Sequence, residues 1–383
     1  MKKMFYIGLL GLGLFEILRV YFIMPMPGSQ EMESIDVAYF LHTYRWYVRA
    51  LFGIMIVLGC ARAFRVKRWW LPVIPLLAVA YIVYTFNFEM VADHMFLQPK
   101  KLSFKSRSES LLGDSSLVIG VAYNGEAKAY PIRYISYHHQ VRDTVGGKAV
   151  MVTYCNVCRT GRVFEPLVNG SAENFRLVGM DHFNAMFEDS STKSWWRQAT
   201  GEAVAGPLKG SVLPELESMQ VSVSKFFWMH PFGQLMQEDI SSSKSYDSLG
   251  RFEKGKSKGK LTRTDSLSWN DKSWVVGIQL DDESKAYDWN DLKKKRIIND
   301  KIGDVPIVLV LSDDSQSFAV FQRPQERVIF SVKNDTLRTK HSLYDFSGKL
   351  LLTDSVSIPA LKKINAYQEF WHSWKTFHPE TLR

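Results

Sequence analysis

Cysteine is scarce in this sequence, with three residues in a chain of 383. That number excludes a small scaffold built on disulfides, which needs several bridges. A Gly-rich phosphate loop is also missing, so the chain has no cofactor-binding fingerprint of that kind. Hydrophobic residues make up 46% and charged residues 23% of the chain, which excludes a largely disordered protein. The length predicts two or three folded units.

Charge is only modestly unbalanced, with 48 Lys and Arg against 39 Asp and Glu and a net charge of +9. The basic residues lie mainly beside apolar stretches and in one Lys-rich segment between residues 251 and 263. That distribution predicts no nucleic-acid partner. We expect a lipid bilayer as partner, while a protein or small-molecule partner is left open.

Long apolar runs are confined to the first 90 residues, and they predict a transmembrane anchor over residues 1–90. We predict three helices at about 5–24, 47–63 and 69–86, because about 20 apolar residues span a bilayer core of ~30 Å. The competing interpretation of the first run is a signal peptide, but no small-x-small cleavage site follows it. Glu16 and Arg19 lie three residues apart, so we expect them to pair with each other or with a neighbouring helix.

Basic residues also predict the orientation of the anchor. Lys2 and Lys3 precede the first run, and a short basic loop with four Lys or Arg residues separates the second and third runs. Short basic loops stay in the cytoplasm. Three spans then place the chain after Glu89 on the opposite side, which in a bacterial inner membrane is the periplasm.

The rest of the chain aligns with itself at a constant offset of 157 residues. Val118-Ile119-Gly120-Val121 aligns with Val275-Val276-Gly277-Ile278, and Lys128-Ala129-Tyr130 aligns with Lys285-Ala286-Tyr287. We therefore predict two related β-rich lobes, residues 105–235 and 266–383, joined by a polar Lys/Ser/Gly linker at 236–265. The predicted fold class is a three-helix transmembrane anchor followed by a β-rich α+β soluble region made by internal duplication.

A Cys-x-x-Cys pair, Cys155 and Cys158, follows a predicted strand. Three roles are open. The pair is a redox-active disulfide or dithiol, with Arg159 and Arg162 stabilising a thiolate; it binds copper or zinc, with His138 as a further ligand; or it is a structural disulfide. The sequence lacks the His that follows such a pair in covalent haem attachment, and it lacks a thioredoxin-like pattern.

The repeat provides an internal comparison for this pair. At the offset of 157, Cys155 and Cys158 align with Ser312 and Ser315, and His138 aligns with Lys295. A lobe of this type therefore does not need the sulfur and imidazole groups to fold. That difference favours a functional role for the three residues over a scaffold role.

A second group of polar residues follows the cysteines, and its candidate catalytic members are Asp181, Asp189, Thr192 and Gln198. Together with nearby tryptophans they would suit a polar and aromatic pocket, as in a cell-envelope enzyme or a ligand-binding module. The alternative is a turn capped by Asp, Ser and Thr with buried tryptophans behind it. Whether the protein is an enzyme is left open.

Taken together, these motifs resemble the bacterial family known as domain of unknown function 3179, over about residues 105–383. The resemblance rests on Ala129-Tyr130-Pro131, Tyr154-Cys155-x-x-Cys158, Asp189-x-x-Thr192-x-Ser194-x-Trp196-x-Gln198 and the closing Phe370-Trp371 to His378-Pro379. It implies a domain and no activity. The chain has His138-His139 where the family has His-Glu, which weakens a His–Glu acid–base pair. The N-terminal spans lie outside the match and look like an added anchor.

The predicted topology can be tested with reporter fusions at Arg383. We expect a reporter that works only outside the cytoplasm to be active there, because three spans export the C-terminus. A matched fusion after Arg65, in the basic loop, should be inactive. Activity of a cytoplasm-only reporter at Arg383 would contradict the assignment.

Overall fold

A computed structural model of the chain describes residues 1–353 and 360–383. The protein is α+β, with a helical N-terminal region and many small sheets. Its α-helices are α1 (Lys2–Tyr21), α2 (Ile35–Thr43), α3 (Arg45–Phe64), α4 (Val73–Tyr84), α5 (Ala92–Met95), α6 (Ile132–His138), α7 (Val223–Met229), α8 (Ser243–Asp247), α9 (Leu249–Glu253), α10 (Trp289–Lys295) and α11 (Trp371–Phe377).

The strands begin after α5. They are β1 (Phe104–Lys105), β2 (Leu117–Tyr123), β3 (Glu126–Pro131), β4 (Gln140–Val145), β5 (Lys148–Cys155), β6 (Thr160–Phe164), β7 (Leu167–Val168), β8 (Ser171–Ala172), β9 (Phe175–Asp181), β10 (Asn184–Asp189), β11 (Trp195–Arg197), β12 (Ala203–Ala205), β13 (Met219–Ser222), β14 (Gln234–Met236), β15 (Trp274–Leu280), β16 (Glu283–Asp288), β17 (Ile297–Ile302), β18 (Val305–Leu311), β19 (Phe318–Gln322), β20 (Ser331–Lys333), β21 (Thr336–Arg338), β22 (Ser342–Tyr344), β23 (Leu350–Thr353), β24 (Lys363–Ile364) and β25 (Tyr367–Phe370).

The chain divides into two compact units. The first, here called the anchor unit, contains Met1–Leu97, Glu173–Arg197 and Glu202–Val212. The second, the two-lobe unit, contains Gln98–Ala172, Gln198–Gly201 and Leu213–Arg383. This division differs from the predicted boundaries, because β9 to β12 group with the N-terminal helices and not with the first lobe.

Two helices of the described residues, α1 and α3, are long and apolar enough to cross a membrane. The sequence predicted three such helices, and the structure has two among its described residues. The third apolar run begins as a turn, since Pro72 follows Trp69-Trp70-Leu71, and α4 itself has 12 residues. A π-helical turn, Thr85–Glu89, continues it.

Charged side chains bind the helices of the anchor unit to one another. Glu16 is fully buried on α1, and it accepts hydrogen bonds from Arg19 at 3.3 Å, from Arg49 Nε at 2.6 Å and from Asn87 Nδ2 at 3.0 Å. Arg49 lies on α3 and Asn87 in the π-helical turn. The prediction that Glu16 and Arg19 pair with each other or with a neighbouring helix is therefore confirmed on both counts.

The sheet of the anchor unit has the strand order β12-β11-β10-β9 and packs against the chain that follows α1. The amide of Met180 donates to the carbonyl of Ile23 at 2.8 Å, and the amide of Phe183 donates to the Gln30 side chain at 3.0 Å. A Cβ at Gly179 would collide with the Ile23 carbonyl. This close backbone approach requires glycine, and it makes the sheet an integral part of the anchor unit.

The two lobes of the other unit follow one order of elements. In the first lobe β2, β3, α6, β4, β5 and β6 succeed one another, and in the second β15, β16, α10, β17, β18 and β19 do so at the offset of 157. In each lobe the first two strands form an antiparallel hairpin, and the last three form a meander. A later strand, β13 or β25, pairs with the first strand and leads into a seven-residue helix.

A glycine and an aromatic ring occupy matching places in the two lobes. Gly120 is the fourth residue of β2 and Gly277 the fourth of β15, and each lies under the aromatic side chain at the fourth position of the closing helix. A Cβ at Gly120 would lie 3.0 Å from the Phe226 ring, and one at Gly277 would collide with the Trp374 ring. The absent side chain is what lets the helix close over the sheet.

The predicted linker at 236–265 instead contains α8 and α9. Tyr246 and Phe252 are 1% and 3% exposed and belong to the first lobe's core, with Leu249 packed beside them. The carboxylate of Glu253 accepts a hydrogen bond from the amide of Leu117. Tyr246, Leu249 and Phe252 are three residues apart and so lie on one helical face. The face is short, and the polar residues around it mask it in the sequence.

We expect Gly277→Ala to lower the free energy of unfolding by roughly 1–3 kcal/mol, because the added methyl group displaces Trp374 from a packed core. Gly120→Ala should cost less, since its nearest ring is further away. Gly113→Ala is the matched control, because nothing lies within 4 Å of its Cβ position. Chemical unfolding followed by tryptophan fluorescence measures all three, and equal effects at the three sites would contradict the packing argument.

Candidate functional site

The cysteine pair lies at the hairpin between β5 and β6 in the two-lobe unit. Cys155 ends β5, opposite Thr160 at the start of β6, and Cys158 lies in the connecting turn. Arg159 closes the turn with a φ of 58°, in the left-handed region. Both cysteines are fully buried thiols. The turn therefore brings the two thiols into the interior and away from solvent.

Groups from the second lobe surround this turn. The amide of Phe370 donates to the carbonyl of Cys158 at 2.9 Å, and Lys272 Nζ donates to the carbonyl of Val157 at 2.8 Å. His372 Nε2 lies 2.9 Å from Lys272 Nζ and 3.1 Å from the carbonyl oxygen of Val157. The site is thus a composite of thiols from one lobe and a lysine and histidine from the other.

The electrostatics of the thiols and of Lys272 are linked. Burial raises the pKa of Cys158 well above its usual value, and the hydrogen bond and negative charge of Cys155 raise it further. The pair therefore resists carrying two negative charges. Burial lowers the pKa of Lys272 to about 8, against an opposing effect of both cysteines. An ammonium with that pKa can give and take a proton near neutral pH.

A chain of hydrogen bonds continues from the thiols into the second lobe. Ser373 bonds Cys158 and donates from its hydroxyl to Glu369 Oε1. Arg162 NH2 donates to Glu369 Oε2 at 3.3 Å. Burial raises the pKa of the Glu369 carboxyl, and the positive charge of Arg162 opposes that shift. Both side chains are almost completely buried, so this ion pair lies inside the unit.

The two arginines next to the pair have other partners than the predicted thiolate. Arg159 donates to the carbonyls of Phe252 and Glu253 at 3.0 and 2.9 Å and stacks on Trp274, with 3.7 Å from Cζ to the ring centre. Arg162 engages Glu369. The pKa of Lys272, in contrast, responds to the charges of both cysteines.

Binding of copper or zinc by Cys155, Cys158 and His138 stays a prediction. In the part of the chain that the structure describes, no group of three or more His, Cys, Asp or Glu side chains is arranged to hold a metal ion. His138 is fully buried at the end of α6, and its Nε2 lies 2.6 Å from the hydroxyl of Tyr246. The hydrogen-bond partner of His138 therefore comes from α8, which lies in the segment predicted to be a linker.

The four candidate catalytic residues, Asp181, Asp189, Thr192 and Gln198, lie in different parts of the structure. Asp181 lies at the end of β9 in the anchor unit, where it accepts from His182 Nδ1 at 2.6 Å and from Arg197 Nε at 2.7 Å. These two cations hold the pKa of the Asp181 carboxyl below its usual value despite burial, which acts the other way. The neighbouring Asp181 charge raises the pKa of His182. Asp181 therefore belongs to a small ion-pair cluster.

Asp189 and Thr192 form one turn at the end of β10. The Asp189 carboxylate accepts from the Thr192 amide and hydroxyl, the Ser194 amide and Trp196 Nε1, at 2.5 to 3.1 Å. These hydrogen bonds lower the pKa of Asp189 against the effect of burial. A carboxylate with this many internal donors organises a turn, which agrees with the alternative interpretation of the motif.

Gln198 belongs to the two-lobe unit and supports the cysteine hairpin. Its Nε2 donates to Thr153 Oγ1 at 3.0 Å and to the Thr160 carbonyl at 3.2 Å. Thr153 lies on β5 and Thr160 on β6, so the amide bridges the two strands beside the thiols. The structure thus brings Asp189 and Thr192 together and gives Asp181 and Gln198 other surroundings.

Sequence reasoning missed Lys272, His372, Ser373 and Glu369 as neighbours of the cysteines. His372 and Ser373 lie in the closing aromatic segment, whose composition indicated packing and no chemistry, and Glu369 directly precedes it. Lys272 precedes β15 without any motif. The available signal was the difference between the repeats, since the corresponding first-lobe helix carries Ser224 and Lys225 where the second carries His372 and Ser373.

Comparison with known families identifies the domain. The family described as "Protein of unknown function (DUF3179)" matches residues 98–381. The chain belongs to this family. No match was found among curated proteins or among solved structures. The match begins where the two-lobe unit begins, and it also includes β9 to β12 of the anchor unit.

His372 should make the stability of the protein depend on pH. Burial and the charge of Lys272 lower the pKa of His372 to about 4. The unfolded chain binds a proton near pH 6.5 while the folded chain does not, so folding stability falls as the pH drops from about 6.5 to 4. We expect His372→Gln to remove roughly 1–3 kcal/mol of that loss in unfolding titrations. The exposed His341→Gln is the control, and an identical pH profile for both variants would contradict the assignment.

Proposed function

We propose that this protein is a membrane-anchored thiol protein whose Cys155 and Cys158 undergo thiol–disulfide exchange. The observation that supports it is the position of Lys272, which the second lobe places beside two hydrogen-bonded thiols of the first. Cations next to thiols favour the reactive thiolate. Structural cysteines need no such neighbour.

The groups of this site can carry the protons and electrons that thiol–disulfide exchange requires. Neutral Lys272 takes the proton of Cys155, whose sulfur attacks one sulfur of a disulfide reactant. A mixed disulfide forms, and the other reactant sulfur leaves with the proton from Lys272. The lysine, neutral again, takes the proton of Cys158, whose sulfur attacks Cys155. The Cys155–Cys158 bond forms and the second reactant sulfur leaves with that proton, so two electrons pass to the reactant. Because both cysteines are buried, a low-molecular-weight disulfide is favoured over a folded protein.

The number of spans decides the compartment of this chemistry. We propose that Val73–Glu89, a shorter apolar helix of 17 residues, crosses the membrane as a third span, which is the lower limit for a bilayer core. Three spans place the two-lobe unit in the periplasm of a bacterial inner membrane. With two spans it would lie in the cytoplasm, where small thiols keep cysteines reduced.

We infer that the two lobes arose by internal duplication. The matching order of strands at one offset and the two glycine–aromatic contacts support this origin. In this account the second lobe has serines in place of the cysteines, while its C-terminal strand and helix provide Glu369, His372 and Ser373. The lobes then have different roles in one site.

The thiol proposal is tested on the full chain in detergent with Cys60→Ser, which leaves Cys155 and Cys158 as its only thiols. After equilibration in mixtures of reduced and oxidised glutathione, maleimide labelling under denaturing conditions should show both thiols lost in one two-electron transition. Cys155→Ser with Cys158→Ser should abolish the transition and keep the free energy of unfolding within about 1–2 kcal/mol.

Lys272 supplies the second arm of this test. Lys272→Met should slow the exchange at pH 7 at least tenfold, while the control Lys301→Met, at an exposed lysine of the second lobe, should not. Thiols that stay reduced at every glutathione ratio, together with a double variant that fails to fold, would assign the pair a structural role.

A further inference from the structure

A second feature of the two-lobe unit is a polar cleft of about 600 Å³ between its lobes. The first lobe contributes Arg162, Glu215 and Glu217, and the second contributes Lys363, Asn365 and Tyr367. The cleft has the size of a small-molecule site. It does not include the thiols, and the exchange reaction proposed for them does not require it.

Lys363 is a buried cation of the cleft. Its Nζ makes no hydrogen bond of good geometry with the described residues. The nearest carboxylate oxygen is Glu217 Oε1 at 3.4 Å, on a side chain that is 62% exposed. Glu217 pairs with the ammonium and can fill one of its three donors. Leaving the other donors buried and unfilled is costly unless acceptors are supplied. An anionic group in the cleft would supply them.

Arg162, in the first lobe, also has a buried donor without an acceptor in the described part of the chain. Its Nε is buried and also has no hydrogen-bond partner among the residues described. The guanidinium lies 3.2 Å from the centre of the Tyr367 ring, and its NH2 engages Glu369. One nitrogen of the guanidinium fork is thus left for an acceptor, and the ring gives the cleft a flat wall.

The charge of the lining limits the kind of anion. Three cations, Arg162, Lys362 and Lys363, face two exposed or half-exposed acids, Glu217 and Asp281. Glu215 is a third acid of the lining, with a side chain that is 32% exposed and an oxygen 3.9 Å from the Arg162 guanidinium. The three cations and three acids give the lining a net charge of 0. Such a lining suits one negative charge better than the two of phosphate.

We propose that this cleft binds a small monocarboxylate that also carries hydroxyl or amino groups. The carboxylate accepts hydrogen bonds from Lys363 Nζ and Arg162 Nε. The other polar groups of the ligand meet Asn365, Glu217 and the hydroxyl of Thr200, all of which line the cleft. A ligand of this kind supplies acceptors to the buried donors of Lys363 and Arg162.

Isothermal titration calorimetry of the full chain in detergent tests this with D-gluconate, L-serine and L-lactate as probes. We expect saturable binding of at least one of them. Glucitol, which has the hydroxyl groups without the carboxylate, and inorganic phosphate should not bind. Affinity should fall as the pH rises, since burial lowers the pKa of Lys363 and the neutral amine no longer attracts an anion.

Lys363→Met separates binding from folding. It keeps the apolar stem and removes a buried ammonium whose nearest acceptor is an exposed carboxylate, so the melting temperature should be unchanged or higher while carboxylate affinity falls at least tenfold. Lys301→Met is the control with unchanged affinity. The proposal is overturned if no probe binds the wild type, if glucitol or phosphate binds as well, if Lys363→Met binds normally, or if its melting temperature drops.

Discussion

The two-lobe unit depends on a buried ion pair between its lobes, Arg162 on β6 and Glu369 on β25. Burying two charges is expensive, and removal of either partner from such a pair typically costs ~3–5 kcal/mol. The pair is held in place by the backbone bond from Phe370 to Cys158, one residue beyond Glu369. The position of β25 against the cysteine hairpin, and with it the neighbourhood of the thiols, follows from this contact.

The same pair connects two features that are otherwise distinct. Glu369 bonds Ser373, which bonds Cys158, while Arg162 lines the polar cleft and stacks on Tyr367. A change in charge at either end therefore acts on groups that share one carboxylate. Closely coupled ionisable groups of this kind titrate as a set, with proton affinities that belong to the network and not to single residues.

Much of the fold was accessible from sequence because the lobes contain regular, local patterns. Strand alternation and the offset of 157 located β2, β3, β15 and β16, which the structure has within a residue or two of the aligned segments. The polar composition of residues 236–265 concealed α8 and α9, because Tyr246 and Phe252 are surrounded in sequence by polar residues. Lys272 was out of reach because its role comes from a contact 115 residues distant in the chain, and no local pattern encodes such a contact.

The path of the chain between the two units has a consequence for handling the protein. The backbone passes from one unit to the other five times, at 97/98, 172/173, 197/198, 201/202 and 212/213. A single protease cut near residue 98 would thus leave four covalent connections intact. Separation of the DUF3179 domain from the N-terminal helices would also require β9 to β12 to give up their contacts with the chain around Ile23. One cleavage therefore does not release the domain from those helices.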